Sequence, residues 1–340
     1  MQPTLATSDS RSARSVWAVR RWALLGIALL YVVGGIVVFH NLDRVTLERV
    51  VSIPWTLLAA LLGLSLINYA IRAWRWIVLS RFLDFRIPAA QNILYYFAGY
   101  ALTATPGKAG EAVRLWLLKA GHAIPYVRSI PIMLADRVID TWAVLILTLL
   151  CFADVSRHLW QGVVVTVLVV LLSLPILFPL RFAPLLGLAM TWFPRKRRLW
   201  GKTRHLLRSM AELSHWRTYG VTLVPSVIGW AAEGFALYLL LRYFDAPVDV
   251  MQAVFVFCFS MIVGAVSMMP GGLGSTEVTA VVLLKAMGVP LDVAVASTGL
   301  VRLTTFWFAA AIGVALLPWS IGVATRSGAR WSGRKPVDAS

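Results

Sequence analysis

The sequence is poor in charge, in histidine and in cysteine, and each shortage closes off a class of function. Charged residues make up 14% of the 340 residues and hydrophobic residues 59%, whereas a soluble domain is about a quarter charged. Several apolar runs reach membrane-spanning length, so a soluble fold with buried core helices is excluded. The five histidines, His40, His122, His158, His205 and His215, fall in loops or near the ends of apolar runs. They form no cluster, and no metal-ligand spacing accompanies them. The two cysteines, Cys151 and Cys258, make no CxxC and read as small packing residues. No nucleophile elbow and no Rossmann pattern is present, and the glycine-rich PGGLGSTE lacks the Lys-Ser/Thr of a phosphate-binding P-loop. No catalytic residue, metal site or cofactor is therefore assigned. Acidic residues are also scarce, 15 against 32 Lys and Arg, for a net charge of +17. The excess does not point to nucleic acid, because the basic residues sit between apolar segments.

What is present is an all-α polytopic membrane protein. Full spans are expected at 22–39, 53–71, 131–152, 159–180, 221–241 and 291–319. Two further apolar segments, 87–105 and 251–269, each end at a Pro-Gly. A basic leader covers 1–21, a basic and partly amphipathic segment 181–220, and a basic tail 320–340. The segment 181–220 reads as an interfacial element on an anionic leaflet. The integral domain is 22–319, with repeat halves at about 53–152 and 221–319. The expected inside segments 1–21, 72–86, 115–130, 181–220 and 320–340 carry 23 Lys and Arg, and the expected outside loops 40–52, 153–158 and 242–250 carry 4. The positive-inside rule then places both termini in the cytoplasm of a multi-pass inner-membrane protein.

That orientation requires 87–114 to enter and leave on the cytoplasmic side and 251–290 on the opposite side. TPGKAGEAVR (105–114) and MMPGGLGSTE (268–277) become the tips of two oppositely oriented re-entrant helical hairpins. The hinge residues are Pro106, Gly107 and Gly110 in the first, and Pro270, Gly271, Gly272 and Gly274 in the second. The alternative keeps both segments as full spans followed by interfacial helices. Each half reads as a span, a helix broken at PGxxG, an acidic residue and another span, which is the plan of an inverted-topology repeat.

A helix that starts inside a membrane offers unpaired N–H groups and a positive dipole end to an anion, above all a phosphate. Ser275 and Thr276 can cap the second such helix or donate to a ligand. Lys108, Glu111, Arg114, Asp136, Arg137, Asp140, Glu233, Glu277, Lys285 and Arg302 are the ionisable residues at depth. Each costs about 2.5–3.5 kcal/mol at a span centre, so they face protein, pair up or mark a pathway. Lys108, Arg114, Arg137, Arg302, Ser275 and Thr276 are the candidate headgroup contacts. Glu111, Asp136, Asp140, Glu233 and Glu277 are the candidates for handling a proton or a cation. The plainer readings are an ion pair locking the bundle for Arg137 and Asp140, local capping for Glu111 and Glu277, and snorkelling for Lys285. Tyr95, Tyr96 and Tyr100 read as packing or as part of an aromatic belt.

PGKAGEAVR (106–114), DRVID (136–140), PGGLGSTE (270–277) and RLTTFW (302–307), in that order, resemble the lysylphosphatidylglycerol synthase transmembrane family, also called flippase-like. The resemblance covers roughly residues 20–320. It implies a lipid-translocating domain in which Arg114, Arg137 and Arg302 meet a lipid phosphate and Glu111 and Glu277 handle a proton or a cationic headgroup. The family often has Glu-Arg where this chain has Asp136-Arg137. Only some twenty residues follow Trp319, too few for the aminoacyl-transferase domain of two-domain members, so lysyl transfer is not implied. The expected partner is a membrane lipid: an anionic phospholipid, an aminoacyl-phospholipid or a polyprenyl-phosphate-linked lipid. A homo-oligomer or a separate lipid-synthesis enzyme is a further possible partner. The rival expectations are a membrane-embedded lipid-modifying transferase, an accessory subunit of a lipid or glycolipid synthesis complex, and a non-transporting scaffold.

Overall fold

A computed structural model of the chain describes residues 43–103, 109–155, 216–267 and 269–332. The leader, the expected spans 22–39 and 159–180, most of the basic segment 181–220, and Pro106, Gly107 and Lys108 lie outside the described residues. Described residues form ten α-helices and no strand. We number them α1 (Arg44–Val51), α2 (Trp55–Phe82), α3 (Ala89–Ala98), α4 (Ala109–His122), α5 (Tyr126–Val155), α6 (Trp216–Tyr243), α7 (Val250–Val266), α8 (Ser275–Ala286), α9 (Leu291–Arg302) and α10 (Phe308–Ser332). Pro54, Pro88 and Pro290 each stand immediately before a helix, where the missing N–H leaves no bond unmade. Asp249 opens α7 with a reciprocal capping box to Gln252. Asp43 caps α1 through the Thr46 backbone N–H, and that bond holds its carboxyl below the usual carboxylate range.

Three helical stretches, Trp55–Phe82, Tyr219–Tyr243 and Leu291–Gly328, are long and apolar enough to cross a membrane. The last joins α9 to α10 through a π-helical turn at Leu303–Trp307. It runs past Trp319, the end expected from hydropathy. The wider π turn leaves the Thr305 carbonyl to accept the Tyr69 hydroxyl from α2. The 30-residue α5 has the length of a span but carries Asp136, Arg137 and Asp140 in its middle.

Helix α2 differs most from expectation. The sequence reading ends this span at Ile71 and counts Arg72 and Arg75 as cytoplasmic loop charges. In the structure the helix continues to Phe82 and buries both. The apolar face simply continues at helical spacing through Leu61, Ser65, Asn68, Arg72, Arg75 and Leu79, with the arginines carried on it.

Two apolar cores stack along the long helices. One gathers α6, α7, α8 and α9 around Leu237, Phe255, Leu284 and Val301, with Leu61 of α2 and Val144 of α5. The other gathers α3, α4 and α10 around Tyr96, Leu117 and Ala324, with Trp76 of α2 and Ile139 of α5. The helices on either side of the second Pro-Gly turn belong to the first core, α3 and α4 belong to the other, and α2, α5 and α6 pass through the junction.

The second Pro-Gly segment is a tight helical hairpin. Gly271, Gly272 and Gly274 have φ of 62°, 68° and 85°, a region that side-chain-bearing residues rarely enter. Above the turn, α7 and α8 meet at Gly264 and Thr276, where any Cβ on Gly264 would overlap the Thr276 hydroxyl. Gly264→Ala is therefore expected to wedge the hairpin and lower stability by about 1–3 kcal/mol. Gly63→Ala, with open space around it, is expected to leave stability unchanged or slightly raised. Thermal unfolding of the two variants in detergent compares them.

Candidate functional site

The residues that give α2 its unexpected length also begin the site. Arg75, with a side chain 0% exposed, donates Nε and Nη2 to Asp136 Oδ1 at 2.8 and 2.5 Å. Its Nη2 also reaches Asp140 Oδ1 at 2.8 Å, and its Nη1 donates to Ser226 Oγ at 2.7 Å. Arg72 donates to Asp140 Oδ2 at 2.7 Å, and the Trp230 indole N–H to Asp140 Oδ1 at 3.1 Å. Arg137 approaches Asp136 at 3.2 Å and Asp140 at 3.6 Å. Arg114, from α4, lies 3.8 Å from Asp136. Among the described residues four arginines thus converge on two aspartates, one helical turn apart on α5.

Aromatic rings hold these cations. The Arg114 guanidinium lies 3.9 Å from the Tyr96 ring centroid and 5.1 Å from that of Tyr100, and its Nε donates to the Tyr96 carbonyl. Arg72 sits between Trp230 at 5.5 Å and Tyr100 at 5.9 Å. Such contacts stabilise a desolvated cation by about 2 kcal/mol. Tyr96 and Tyr100 therefore do more than pack: they carry the arginines. Tyr95 is buried among α3, α4 and α10 as plain core.

At the second break, Glu277 accepts from the Gly274 backbone N–H at 2.6 Å and from Arg302 Nε at 2.6 Å. The carboxylate of Glu277 caps α8, and Gly274 is its N-cap. Of the two roles open to Ser275, cap or ligand donor, the cap is taken by Glu277; the Ser275 hydroxyl donates to the Gly272 carbonyl and meets Ser267 Oγ at 2.8 Å. Thr276 faces Gly264. Arg302 also donates to the Gly271 carbonyl at 3.1 Å and lies over Phe306 at 4.4 Å. It thereby ties the start of the π turn to the glycine break 31 residues earlier.

Both clusters border one cavity of about 540 Å³ where the two cores meet. Its wall includes Arg114, Arg137 and Asp140 from the first half and Glu233, Thr276 and Arg302 from the second, with Gly271, Gly272 and the newly found Arg72. Asp136 stands behind that wall on Arg75, and Glu277 behind it on Arg302. Glu233 accepts from the Asn68 side-chain amide at 2.7 Å. Gly110 and the backbone of Glu111 lie in the first turn of α4; the Glu111 side chain lies outside the described residues. Lys285 is exposed in the last turn of α8, away from the cavity. Among the described residues no group of His, Cys, Asp and Glu could hold a metal ion.

The motif order and this architecture agree with a family match. The model for the lysylphosphatidylglycerol synthase transmembrane region matches residues 10–313. The chain belongs to that family. It is 26% identical to a UPF0104 membrane protein of Pyrococcus horikoshii, over 84% of this chain and 94% of that protein. It is 24% identical to a UPF0104 membrane protein of Methanothermobacter thermautotrophicus, over 75% of this chain and 83% of that one. Within this family's fold, the matched segment takes in every described residue of the cavity wall.

Proposed function

We propose that the protein translocates a phosphate-bearing lipid across the cell membrane, taking its headgroup into the cavity between the two broken-helix hairpins. The observation that carries this reading is the cavity that collects Arg72, Arg114 and Arg137 with Arg302 from the other half of the chain. Among the described residues four arginines line this cavity and Arg75 stands behind its wall, a partly desolvated set of guanidinium groups suited to an anion. Helices α3 and α8 have 10 and 12 residues. At 1.5 Å per residue they span about 15–18 Å, too short for a hydrocarbon core of about 30 Å. That length fits re-entrant hairpins of opposite orientation, whose tips meet near the midplane. Removing Arg72 and Arg75 from the loop count leaves 21 Lys and Arg in the expected inside segments against 4 outside, so the charge bias still favours cytoplasmic termini.

The test is lipid flipping in proteoliposomes, with headgroup-labelled phosphatidylglycerol, lysyl-phosphatidylglycerol, phosphatidylethanolamine and a short polyprenyl phosphate scored by external quenching. Flipping is expected to favour the net-anionic headgroups, and Arg114→Ala is expected to slow it about tenfold or more through loss of a charge-assisted hydrogen bond. Equal rates for every headgroup, or no flipping by folded protein, would shift weight to a lipid-modifying or accessory role.

A further inference from the structure

Among the described residues two carboxylates line the cavity, and they are held in opposite ways. Asp140 receives Arg72, Arg75 and the Trp230 indole and is fully compensated. Glu233 stands on α6 with 4% of its surface exposed, and its Oε1 accepts the neutral Asn68 amide at 2.7 Å. Among the described residues no Lys, Arg or His lies within ion-pair distance of Glu233. The titratable and charged groups that face it are Tyr69 and Arg72 on α2, Asp140 on α5, Cys258 on α7 and Arg302 on α9. Arg72 is bonded to Asp140, and Arg302 to Glu277.

An anionic headgroup in this cavity would lie beside that carboxylate in a site of low dielectric. Like charges in such a site favour protonation of the weaker acid partner. A lipid phosphodiester remains ionised at neutral pH, so the proton goes to Glu233. Protonation also converts a repelling oxygen into an O–H donor for a phosphate oxygen.

We infer that Glu233 takes up one proton from water as the phosphate-bearing headgroup enters the cavity and returns it when the headgroup leaves. This rests on the translocase reading and names its coupling group. No covalent bond to the lipid forms: carboxylate and proton become carboxylic acid, and the reverse on exit. A phosphodiester carrying one negative charge moves together with one proton, so the loaded step is electroneutral. Transport then responds to a pH difference across the membrane and is insensitive to its electrical potential.

The full chain in phosphatidylcholine nanodiscs is titrated calorimetrically with dioctanoyl phosphatidylglycerol in buffers of different ionisation enthalpy. The pH runs between about 5.5 and 8.5, where the phosphodiester itself does not titrate and histidine alone among unperturbed side chains does. Proton uptake approaching one per lipid is expected at the alkaline end, with Kd weakening towards about tenfold per pH unit there. Glu233→Gln is expected to bind without that uptake, its Kd constant within about twofold. Lipid binding with no proton uptake by the unaltered protein overturns the inference alone, whatever the variant's folding. Uptake that persists in Glu233→Gln overturns it too. Absence of lipid binding at every pH overturns the translocase reading and this inference with it.

Discussion

Arg75→Met is expected to lower the unfolding free energy by about 3–5 kcal/mol, the largest stability loss of the substitutions considered. The side chain is wholly buried and serves Asp136, Asp140 and Ser226 on two other helices. Methionine fills similar volume, so the loss comes from charge and hydrogen bonding, with little cavity term. Among the described residues Asp136 then keeps Arg137 at 3.2 Å and Arg114 at 3.8 Å. The adverse quantity is a buried carboxylate that has lost its nearest ion-pair partner, and removing that charge should relieve it. The double variant Arg75→Met/Asp136→Asn is expected to recover about 2 kcal/mol relative to the sum of the single losses. Denaturant titrations of the four proteins in one detergent give the cycle. Losses that simply add would mean that Arg75 acts through packing and the ion pairs contribute little.

The same arginine marks where the sequence stopped being legible. The glycine break at Pro270–Gly274 could be read because a proline and several glycines within an apolar run interrupt a helix wherever they fall. DRVID and RLTTFW could be read because charge inside an apolar run is expensive enough to demand a reason. Arg72 and Arg75 went unread because NYAIRAWRW lies at the end of an apolar run, where arginines usually mark the cytoplasmic flank. Hydropathy cannot tell a helix that leaves the membrane from one that turns its cations towards protein. The partner is what decides, and Asp140 lies 68 residues further along the chain. A signal was present: Asn68, Arg72, Arg75 and Leu79 keep the helical spacing of Leu61 and Ser65, with tryptophans at 74 and 76. The union of both halves in one cavity was legible only as symmetry. Local capping of α8 by Glu277 was one of two readings, and its geometry is now plain. Capping and a role in transport are not exclusive, because the same carboxylate holds Arg302.

Arg302→Lys is expected to slow translocation by about tenfold to a hundredfold while costing little stability. Arginine here works on three sides at once: Nε to Glu277, Nη2 to the Gly271 carbonyl, and its face on Phe306. Nη1 has no partner among the described residues, on a side chain that lines the cavity. A lysine is a single point charge and cannot hold both hairpin contacts and a phosphate oxygen with one geometry. It would keep the ion pair with Glu277 and so keep the hairpin closed. What it loses is one charge-assisted hydrogen bond to the headgroup, about 1.5–3 kcal/mol, which sets the expected rate loss. Glu277→Gln separates the two roles from the other side. Glutamine can still accept the Gly274 N–H, so α8 keeps its start. It no longer neutralises Arg302, and the freed cation is expected to bind the anionic headgroup more tightly and release it more slowly. Flipping rates and phosphatidylglycerol affinities of the two variants, measured side by side, should therefore move apart: weaker binding in Arg302→Lys, tighter binding in Glu277→Gln, and slower turnover in both. Equal affinities in the two would make the Arg302–Glu277 pair a structural strut with no hold on the lipid.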